Sequence, residues 1–501
     1  MKQQFTVTLN GKPMLAVQGM MLSEVVRGEM PCGGHGKCGK CKVIATGALS
    51  PLSDAERAHL SEAELARGVR LACLTSVEGD CTVLTDTEEK KKQIVTDGDL
   101  PNFDLKPTFS HYGAAIDIGT TTLAAALYDR EGKRIASHSE LNPQAAWGAD
   151  VITRIEADLR GEGAMLTNAI RQALNEMLGA LAEAAGIRSE EIDGVVITGN
   201  TVMLYLLSGV STSPLSRAPF RADCLFGQTV VAETLKLSKL NADTPVHLPA
   251  CISAFVGADI TCAILSTGLT KKTRPAVLVD IGTNGEIALW KDQRLTVCST
   301  AAGPAFEGVG ISMGMNAREG AIDRVTLENG SLQAHVIGEG TPIGICGSGL
   351  VDAIACLLET EELDPSGYLE DEEITVKEPV IFTQKDIRMV QLAKSAICAG
   401  ITTLIRNAKA SSEELSELCV AGGFGRYLNM ENAGRIGLLP SALVPVTKTV
   451  GNAALSGASM LLLNEDFRDL TVQMSRSGDT LELATNPIFM EEYTNGMLFE
   501  S

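Results

Sequence analysis

The sequence has few aromatic residues and no excess of positive charge. Phenylalanine, tryptophan and tyrosine together make up 4% of the 501 residues, whereas glycine occurs 49 times, a balance that favours tightly turned α/β architecture over a β-sandwich. The formal net charge of −20 argues against a surface that binds nucleic acid or an anionic membrane, because either needs a basic footprint.

The chain also lacks the apolar segments that direct proteins into or across membranes. No apolar run reaches the ~18 residues of a transmembrane helix, and the amino terminus, MKQQFTVTLNGKP, has no apolar core of a secretion signal. We therefore expect a soluble, cytoplasmic protein with no membrane or nucleic-acid partner. Its length allows about three domains, and 45% hydrophobic residues suffice for ordinary globular cores.

Four of the thirteen cysteines form a spaced set. Cys32, Cys38 and Cys41 share the stretch PCGGHGKCGKC, and Cys73 follows in RLAC. Three thiolates on a tight loop and a fourth from a distant segment are typical ligands of a plant-type [2Fe–2S] cluster. The first gap has five residues where the common pattern has four, which widens the loop without removing a ligand. The glycines suit a loop that needs positive φ angles and amides turned towards sulfur.

A zinc knuckle or a disulfide pair is the alternative for these cysteines. Zinc sites usually show two paired C-x2-C or C/H arms, and Cys73 has no partner at that spacing. His35 lies in the loop, but a Rieske centre needs two histidines, so we interpret His35 as loop surface. The other nine cysteines are scattered and are expected to be small buried hydrophobic residues.

The residues around the cysteines predict a small, strand-rich domain. Strand patterns over 5–9 and 14–17 flank Asn10 and Gly11, the strongest short signal for a β-hairpin. The elements predicted next are a helix over 22–27, a strand over 41–45 and a capped helix over 53–65. Over residues 1–88 this series resembles the β-grasp fold of ferredoxins.

A change of composition follows this domain. From residue 85 the pattern weakens into TEEKKKQ and then DGDLPNFDLKP, and a charge run followed by glycine and prolines favours a linker. We predict a flexible linker over residues 89–112, which would let the cluster domain move between an electron donor and an acceptor.

Two copies of one polar turn occur in the rest of the chain. Residues 114–122 read AAIDIGTTT and residues 277–286 read VLVDIGTNGE, so each copy is an apolar strand that ends in Asp before a Gly. Such a turn presents amides and hydroxyls to phosphate oxygens, while Asp117 and Asp280 can hold hydrated Mg²⁺. One copy would be weak support, but two copies resemble the phosphate-1 and phosphate-2 loops of the actin, hexokinase, Hsp70 and acetate-kinase (ASKHA) superfamily.

A third stretch, CVAGGFGRYLN over 419–429, resembles the adenosine motif of that superfamily; the alternative is a glycine-rich turn with no ligand. The predicted fold is thus multidomain α/β, a β-grasp ferredoxin domain followed by a two-lobed, actin-like ATPase domain. The predicted lobe 1 covers residues 113–275, and lobe 2 covers 276–501.

Other segments of the chain are consistent with this predicted fold. A helix is predicted over 167–185 behind a Thr167 cap, and a long helix over 383–408 with Thr383 and Asp386 in capping-box register. The glycine-rich stretch 301–314 either tightens a turn or forms a mobile loop over the site. After Asp466 the patterns LTVQMSR and LELA predict weak strands.

The motifs of both halves together resemble one family, the reductive activators of corrinoid enzymes. They are PCGGHGKCGKCKV, AIDIGTTTLA, VDIGTNGEIAL, AGPAFEG, GICGSGL and VAGGFGRYLN. The resemblance implies that ATP drives one electron from a [2Fe–2S] cluster to the cob(II)alamin of a corrinoid protein, which regenerates cob(I)alamin for a methyltransferase or O-demethylase system. A ferredoxin or flavodoxin is the implied electron donor. Longer members carry a further small domain before the ATPase, for which the gap here is too short.

The resemblance also implies roles for the site residues. Asp117 and Asp280 would hold Mg²⁺ and position water, and Glu286 would orient water. The phosphate-binding residues would be Gly119, Thr120, Thr121, Thr122, Gly282, Thr283 and Asn284, and the glycines beside adenosine would be Gly422, Gly423 and Gly425.

Three other functions share part of these motifs. A small-molecule kinase would have both phosphate loops but no use for a fused one-electron centre. The activators of 2-hydroxyacyl-CoA dehydratases resemble only the ATPase half and share a [4Fe–4S] cluster between subunits. A binding module with a structural cluster would have no turnover.

Overall fold

The computed structural model describes residues 3–26, 30, 34–36, 39–85, 100–424 and 427–499. Three of the residues assigned to sites from the sequence, Cys32, Cys38 and Gly425, lie outside these ranges. Within the described ranges, no helix is long and apolar enough to cross a membrane.

The amino-terminal domain is a five-stranded sheet with short helices. Its elements are β1 (Gln4–Leu9), β2 (Lys12–Val17), α1 (Leu22–Val25), β3 (Lys42–Leu49), α2 (Asp54–Arg57), α3 (Glu62–Ala66), β4 (Val69–Leu71) and β5 (Val77–Leu84). The strand order is β2-β1-β5-β3-β4, with β1 parallel to β5. The hairpin prediction is confirmed, because Asn10 and Gly11 form its turn with φ angles of 48° and 82°. The arrangement is a β-grasp sheet, as predicted.

Lobe 1 of the larger part begins with an antiparallel β-meander. Its elements are β6 (Tyr112–Ile118), β7 (Thr122–Asp129), β8 (Arg134–Leu141), α4 (Val151–Ala157), α5 (Gly163–Ala185), β9 (Ile192–Gly199), α6 (Thr201–Ser208), β10 (Gln228–Val231), β11 (Pro245–Leu248) and α7 (Ala258–Thr267). They build a six-stranded sheet in the order β10-β11-β9-β6-β7-β8.

Lobe 2 repeats this plan and adds two small sheets. Its first half contains β12 (Ala276–Ile281), β13 (Gly285–Lys291), β14 (Arg294–Thr300), β15 (Ala321–Glu328), β16 (Ser331–Val336), β17 (Gly344–Ile345), α8 (Gly347–Glu359), β18 (Glu373–Lys377) and β19 (Val380–Thr383). Its second half contains α9 (Gln384–Asn407), β20 (Glu417–Ala421), α10 (Met430–Arg435), β21 (Thr447–Gly451), α11 (Ala453–Leu463), α12 (Phe467–Ser477), β22 (Asp479–Thr480) and α13 (Pro487–Asn495).

The two large sheets have matching topology. In lobe 1, β6 is antiparallel to β7 and parallel to β9; in lobe 2, β12 is antiparallel to β13 and parallel to β20. The large sheet of lobe 2 has the order β21-β20-β12-β13-β14-β22. Parallel neighbouring strands end at the same edge of a sheet. The carboxyl ends of β6 and β9 therefore lie side by side, and so do those of β12 and β20. The predicted duplication of the ASKHA fold is therefore confirmed.

Helices α7 and α11 join the lobes, which corrects the prediction that all of 276–501 forms lobe 2. Helix α11 packs on α7 and on strands β6 and β9 of lobe 1. A Cβ atom added to Gly457 of α11 would lie 2.0 Å from the carbonyl oxygen of Cys262 in α7, so only glycine allows this approach. Because the contact joins distant parts of the chain, local sequence patterns do not reveal it.

The linker predicted over 89–112 is also corrected in its second half. Residues 89–99 lie outside the described ranges, but residues 100–111 pack on the end of α11. The amides of Lys106 and Thr108 donate to the carbonyls of Leu463 and Leu462, at 2.9 and 3.0 Å, and Phe109 is buried. This segment is therefore part of the two-lobed domain.

Four predictions of helices or strands differ from the structure, and one of them is the strand predicted over LELA, residues 481–484, which is irregular backbone. The helix over 53–65 is two short helices, because Ser61 caps a second one. Thr167 lies inside α5, where its hydroxyl donates to the carbonyl of Leu206, so it is not a cap. The LTVQMSR stretch belongs to α12. The long helix with its Thr383–Asp386 capping box is confirmed.

Candidate functional site

A cleft between the lobes receives the ends of β6, β9, β12 and β20. Its volume is about 250 Å³. Its lining includes the described residues of both phosphate turns together with Asn200, Asp259, Glu286, Glu307, Gly422, Gly423 and Asn452. The two DIGT motifs and the third glycine motif, which are far apart in the sequence, therefore meet at one place.

The first phosphate turn is held from behind by polar side chains. The Asn142 side-chain amide donates to the carbonyl of Gly119 at 2.8 Å, and the Arg154 guanidinium donates to the carbonyl of Thr120. The Asn200 amide donates to the Thr120 hydroxyl at 3.1 Å. With its carbonyls bound from behind, the turn keeps a fixed conformation at the cleft.

The two phosphate turns share one carboxylate. Glu307 Oε2 accepts a hydrogen bond from the Thr121 hydroxyl of lobe 1 at 2.6 Å and from the Thr283 hydroxyl of lobe 2 at 3.1 Å. The second turn is closed by the amide of Gly282, which donates to the carbonyl of Asn284 at 3.0 Å. The Glu307 carboxylate therefore lies at the position where the two turns are expected to bind phosphate oxygens.

The two aspartates of the DIGT motifs are half-buried at this site. Burial raises the pKa of Asp117 to about 7; the hydrogen bond from Asn452 at 3.0 Å opposes this rise, and the charge of Asp280 adds to it. Burial, with the nearby charge of Glu307, raises the pKa of Asp280 to about 6. A bound cation would therefore favour the ionised form of both carboxylates near neutral pH.

Glu286 lies opposite Asp280 in the sheet, because the register pairs these two residues across β12 and β13. Burial raises its pKa well above the usual value, and the charges of Asp259 and Asp280 act in the same direction. Glu286, which is predicted to orient water, thus lies in the same cleft as Asp117 and Asp280, which are predicted to hold Mg²⁺.

Two helices point their amino termini at the cleft. Asp259 lies in the first turn of α7, where burial and then the charges of Asp280 and Asp117 raise its pKa to about 8. Asn452 is the N-cap of α11, and its side chain accepts from the amide of Leu455 while it donates to Asp117. The positive ends of both helix dipoles therefore face the place where the phosphate turns meet.

The third glycine motif follows β20 directly. Gly422 has a φ of +97°, and a Cβ atom there would lie 2.6 Å from the carbonyl oxygen of Ile281, so the turn requires glycine. A Cβ atom on Gly423 would meet nothing within 4 Å, which leaves its backbone open to the cleft. Phe424 stacks on Phe306 with ring centroids 5.1 Å apart. This glycine turn is therefore accessible to a planar ligand group.

The described lining is strongly acidic. It contains Asp117, Asp259, Asp280, Glu286 and Glu307, and no described lining residue is a lysine, arginine or histidine. Arg154 lies behind the first turn, where burial lowers its pKa to about 9. No group of three or more His, Cys, Asp or Glu side chains in the described ranges is arranged to bind a metal ion directly. Hydrated Mg²⁺ fits such a site, because it keeps several waters and needs one or two carboxylates.

Two of the four predicted cluster ligands are described, and they lie together. The sulfur atoms of Cys41 and Cys73 are 3.2 Å apart and buried, too far for a disulfide, whose S–S bond is about 2.05 Å. The hydrogen bond with the Cys73 side chain and then burial raise the pKa of Cys41, so ionising the Cys41 thiol is costly. A bound cation would remove that cost, so the pair fits a metal cluster.

Sequence reasoning missed Asp259, Glu307 and Asn452. A signal existed for Asp259, since an Asp in the apolar helix ADITCAIL is rarely buried without a role. Glu307 lies in the quoted AGPAFEG motif, but only the fold shows that it reaches both phosphate turns. Asn452 carries no local signal, because its contact with Asp117 spans 335 residues.

Comparisons with known proteins agree with this architecture. Residues 112–272 match the family model described as the RACo middle region, and residues 274–501 match the C-terminal domain of RACo, the ASKHA domain. The chain is 36% identical over 427 residues to the corrinoid activation enzyme RamQ of Eubacterium limosum, covering 77% of this chain and 70% of that protein.

Two further relatives are more distant. A [Co(II) methylated amine-specific corrinoid protein] reductase of Methanosarcina barkeri is 25% identical over 430 residues, which is 78% of each chain. The solved structure of a reductive activator for corrinoid, iron-sulfur protein is 27% identical and covers 99% of this chain and 98% of its own, with a TM-score of 0.74. The chain therefore belongs to the RACo family of reductive activators of corrinoid proteins, as the motifs of both halves indicated.

Proposed function

We propose that this protein uses MgATP to drive one electron from a [2Fe–2S] cluster to the cob(II)alamin of a corrinoid protein of a methyltransferase or O-demethylase system. The observation that carries the proposal is the fusion of a buried cysteine pair, Cys41 and Cys73, to a cleft that assembles two phosphate turns. When bound by Cys32, Cys38, Cys41 and Cys73, the cluster supplies one-electron transfer.

The energetics of the reaction explain why two such modules would be joined. Plant-type clusters have potentials near about −400 mV, and each ~59 mV of one-electron deficit lowers the reduced fraction tenfold. An electron transfer to cobalt that is uphill by about 100 mV therefore leaves little product at equilibrium. Binding and hydrolysis of ATP can favour the product state only if the nucleotide binds two conformations with different affinity.

Different residues of the cleft would bind different parts of the nucleotide. The hydroxyls of Thr121 and Thr283, which now donate to Glu307, would donate to phosphate oxygens. Asp117 and Asp280 would hold hydrated Mg²⁺, and Glu286 would orient water beside Asp280. The open backbone at Gly423 would accommodate adenosine. The acidity of the described lining supports an obligatory divalent cation, since nucleotide phosphates alone would be repelled.

The same reasoning gives the proposed domains. Residues 1–88 would carry the cluster, and a segment that starts at residue 89 would connect them to the two ATPase lobes. A ferredoxin or flavodoxin would supply the electron, and the corrinoid protein would accept it.

The test is a cobalamin absorbance assay with matched variants. Pre-reduced protein is mixed with a Co(II) corrinoid protein, MgATP is added, and the Co(I) band is followed. We expect Asp280→Asn to keep its iron but lose the ATP-dependent band, and Cys41→Ser to lose its iron but keep nucleotide binding. A wild-type protein that binds no iron, or that phosphorylates a small molecule without forming Co(I), would contradict the proposal.

A further inference from the structure

One residue just before the cysteine loop and one residue inside it contact the two-lobed domain. The amide of Met30 donates to the carbonyl of Ala145 in lobe 1 at 3.2 Å, and Met30 is buried. The ammonium of Lys40 lies 3.0 Å from the carbonyl oxygen of Ile311 and 3.5 Å from that of Ser312, both in lobe 2. Met30, two residues before Cys32, thus contacts lobe 1, and Lys40, directly before Cys41, contacts lobe 2.

The acceptor in lobe 1 belongs to a segment fixed to the first phosphate turn. Ala145 lies in a short 3₁₀-helix, Pro143–Ala146, whose N-cap is Asn142. The Asn142 amide donates to the carbonyl of Thr121 at 2.9 Å, and its side chain donates to the carbonyl of Gly119 at 2.8 Å. A change in the position of the first phosphate turn would therefore move the carbonyl that receives Met30.

The acceptors in lobe 2 follow Glu307 in the chain. Glu307 joins the two phosphate turns, and Phe306 stacks on Phe424 of the third glycine motif. A few residues later Ile311 is buried, and the amide and hydroxyl of Ser312 bind Asp386 at 2.7 and 3.1 Å. Residues 304–312, which we name the cleft segment, therefore run from the phosphate turns to the contact with Lys40.

We propose that the segments around Ala145 and Ile311, which adjoin the two phosphate turns, are the docking site of this chain's own cluster loop, and that the cleft segment makes docking depend on the nucleotide. This proposal rests on the proposed function, because it requires a cluster bound to the loop and a nucleotide bound in the cleft. Phosphate oxygens compete with Glu307 for the hydroxyls of Thr121 and Thr283. Loss of those bonds frees Glu307 and shifts the carbonyls that bind Lys40, so the docked and undocked states bind nucleotide with different affinity.

Such a coupling is reciprocal, which provides a readout without corrinoid reduction. If the nucleotide changes the equilibrium constant for docking by some factor, docking changes the affinity for the nucleotide by the same factor. Docking also covers one side of the loop, so nucleotide should change the rate at which an iron chelator removes the cluster.

The experiment compares Lys40→Gln with Lys42→Gln in the full-length, iron-loaded protein. Both substitutions remove one positive charge beside Cys41, but Lys42 pairs with Glu64 inside the cluster domain and does not carry the contact with lobe 2. We expect MgADP to change the chelation rate of the wild type and of Lys42→Gln by about fivefold or more, and to have no effect on Lys40→Gln. Lys40→Gln alone should also shift the MgADP dissociation constant, measured by calorimetry.

The outcomes separate this proposal from the proposed function. If the protein binds iron and MgADP and forms Co(I), but MgADP leaves the chelation rate unchanged, the docking proposal is wrong and the function stands. The same conclusion follows if Lys40→Gln and Lys42→Gln behave alike. A protein that binds no iron or no nucleotide overturns both.

Discussion

The Glu56 carboxylate joins three segments of the cluster domain. It is fully buried and accepts two hydrogen bonds from the Arg70 guanidinium, at 2.8 and 3.0 Å. It also accepts from the amide of Leu71 at 3.2 Å and from the hydroxyl of Thr75 at 3.0 Å. These partners lie on either side of Cys73, so this carboxylate positions the segment that carries the predicted fourth cluster ligand.

This network predicts a sensitivity of the cluster domain to acid. Burial alone would raise the pKa of Glu56, but the hydrogen bonds from Arg70, Ser53 and Leu71 outweigh it and lower the pKa to about 2. The unfolded chain therefore binds more protons between pH 2 and 4.5, and the free energy of unfolding falls as the pH falls through this window. Glu56→Gln should lower the stability by about 1.5–3 kcal/mol at pH 7 and reduce the acid dependence.

Thermal unfolding of the iron-loaded protein between pH 3 and 7 measures this effect. Glu62→Gln is the matched control, because Glu62 is exposed in the neighbouring helix. Equal acid dependence in the wild type and in Glu56→Gln would show that the network does not control this stability.

Residues of the site differ in how far the sequence alone could assign them. Asp117 and Asp280 were predicted because each ends an apolar strand before a glycine, a pattern set by neighbouring residues. Glu307 and Asn452 act through contacts with residues 186 and 335 positions away, and no local pattern encodes such contacts. The roles assigned to the predicted residues remain predictions until the variants are measured.

At the scale of elements, the contact between α7 and α11 controls how the lobes meet. These helices carry Asp259 and Asn452 in or before their first turns, so their separation sets the shape of the cleft. Gly457 is the point of closest approach, since a Cβ atom there would lie 2.0 Å from the carbonyl of Cys262.

We therefore predict that Gly457→Ala forces the two helices apart. The expected cost is about 2 kcal/mol of stability, as for other overpacked cores, together with weaker binding of MgADP. Gly179→Ala is the control: it lies in α5, and its Cβ atom would meet only Lys239 at 3.7 Å, so stability should rise slightly because alanine favours a helix. Thermal unfolding and calorimetry check both variants, and unchanged MgADP affinity in Gly457→Ala would contradict this account.

Elements encoded by local chemistry were predicted well. The Asn10-Gly11 hairpin and the Thr383 capping box are confirmed because each depends on residues within a few positions. The strand predicted over LTVQMSR is wrong, since its β-branched and apolar residues lie on the helical stripe with which α12 packs on α7 and β14. Tertiary packing determines that this segment is a helix. A short apolar pattern in the sequence does not distinguish a helix from a strand.

At the scale of the whole molecule, each of the three predicted units has a buried core of its own, and two further cores extend beyond a single unit. Among the described residues, the core of the amino-terminal domain is built from residues between Val7 and Val83. Two other cores combine both lobes: one joins Ile260 to Leu278, and another joins Val196 to Leu461. The lobes therefore share apolar contacts in addition to their own cores, whereas the described core of the amino-terminal domain includes no residue of either lobe.

This division predicts two thermal transitions, one for the cluster domain and one for both lobes together. The polar contacts of Met30 and Lys40 are too few to merge them, since a net hydrogen bond contributes about 1 kcal/mol. At 100 times its dissociation constant, MgADP should stabilise the larger transition by about 2.7 kcal/mol and leave the smaller one nearly unchanged, whereas removal of iron should lower only the smaller. Differential scanning calorimetry measures both; if the lobes unfold separately, the cores shared through α7 and α11 do not make them one cooperative unit.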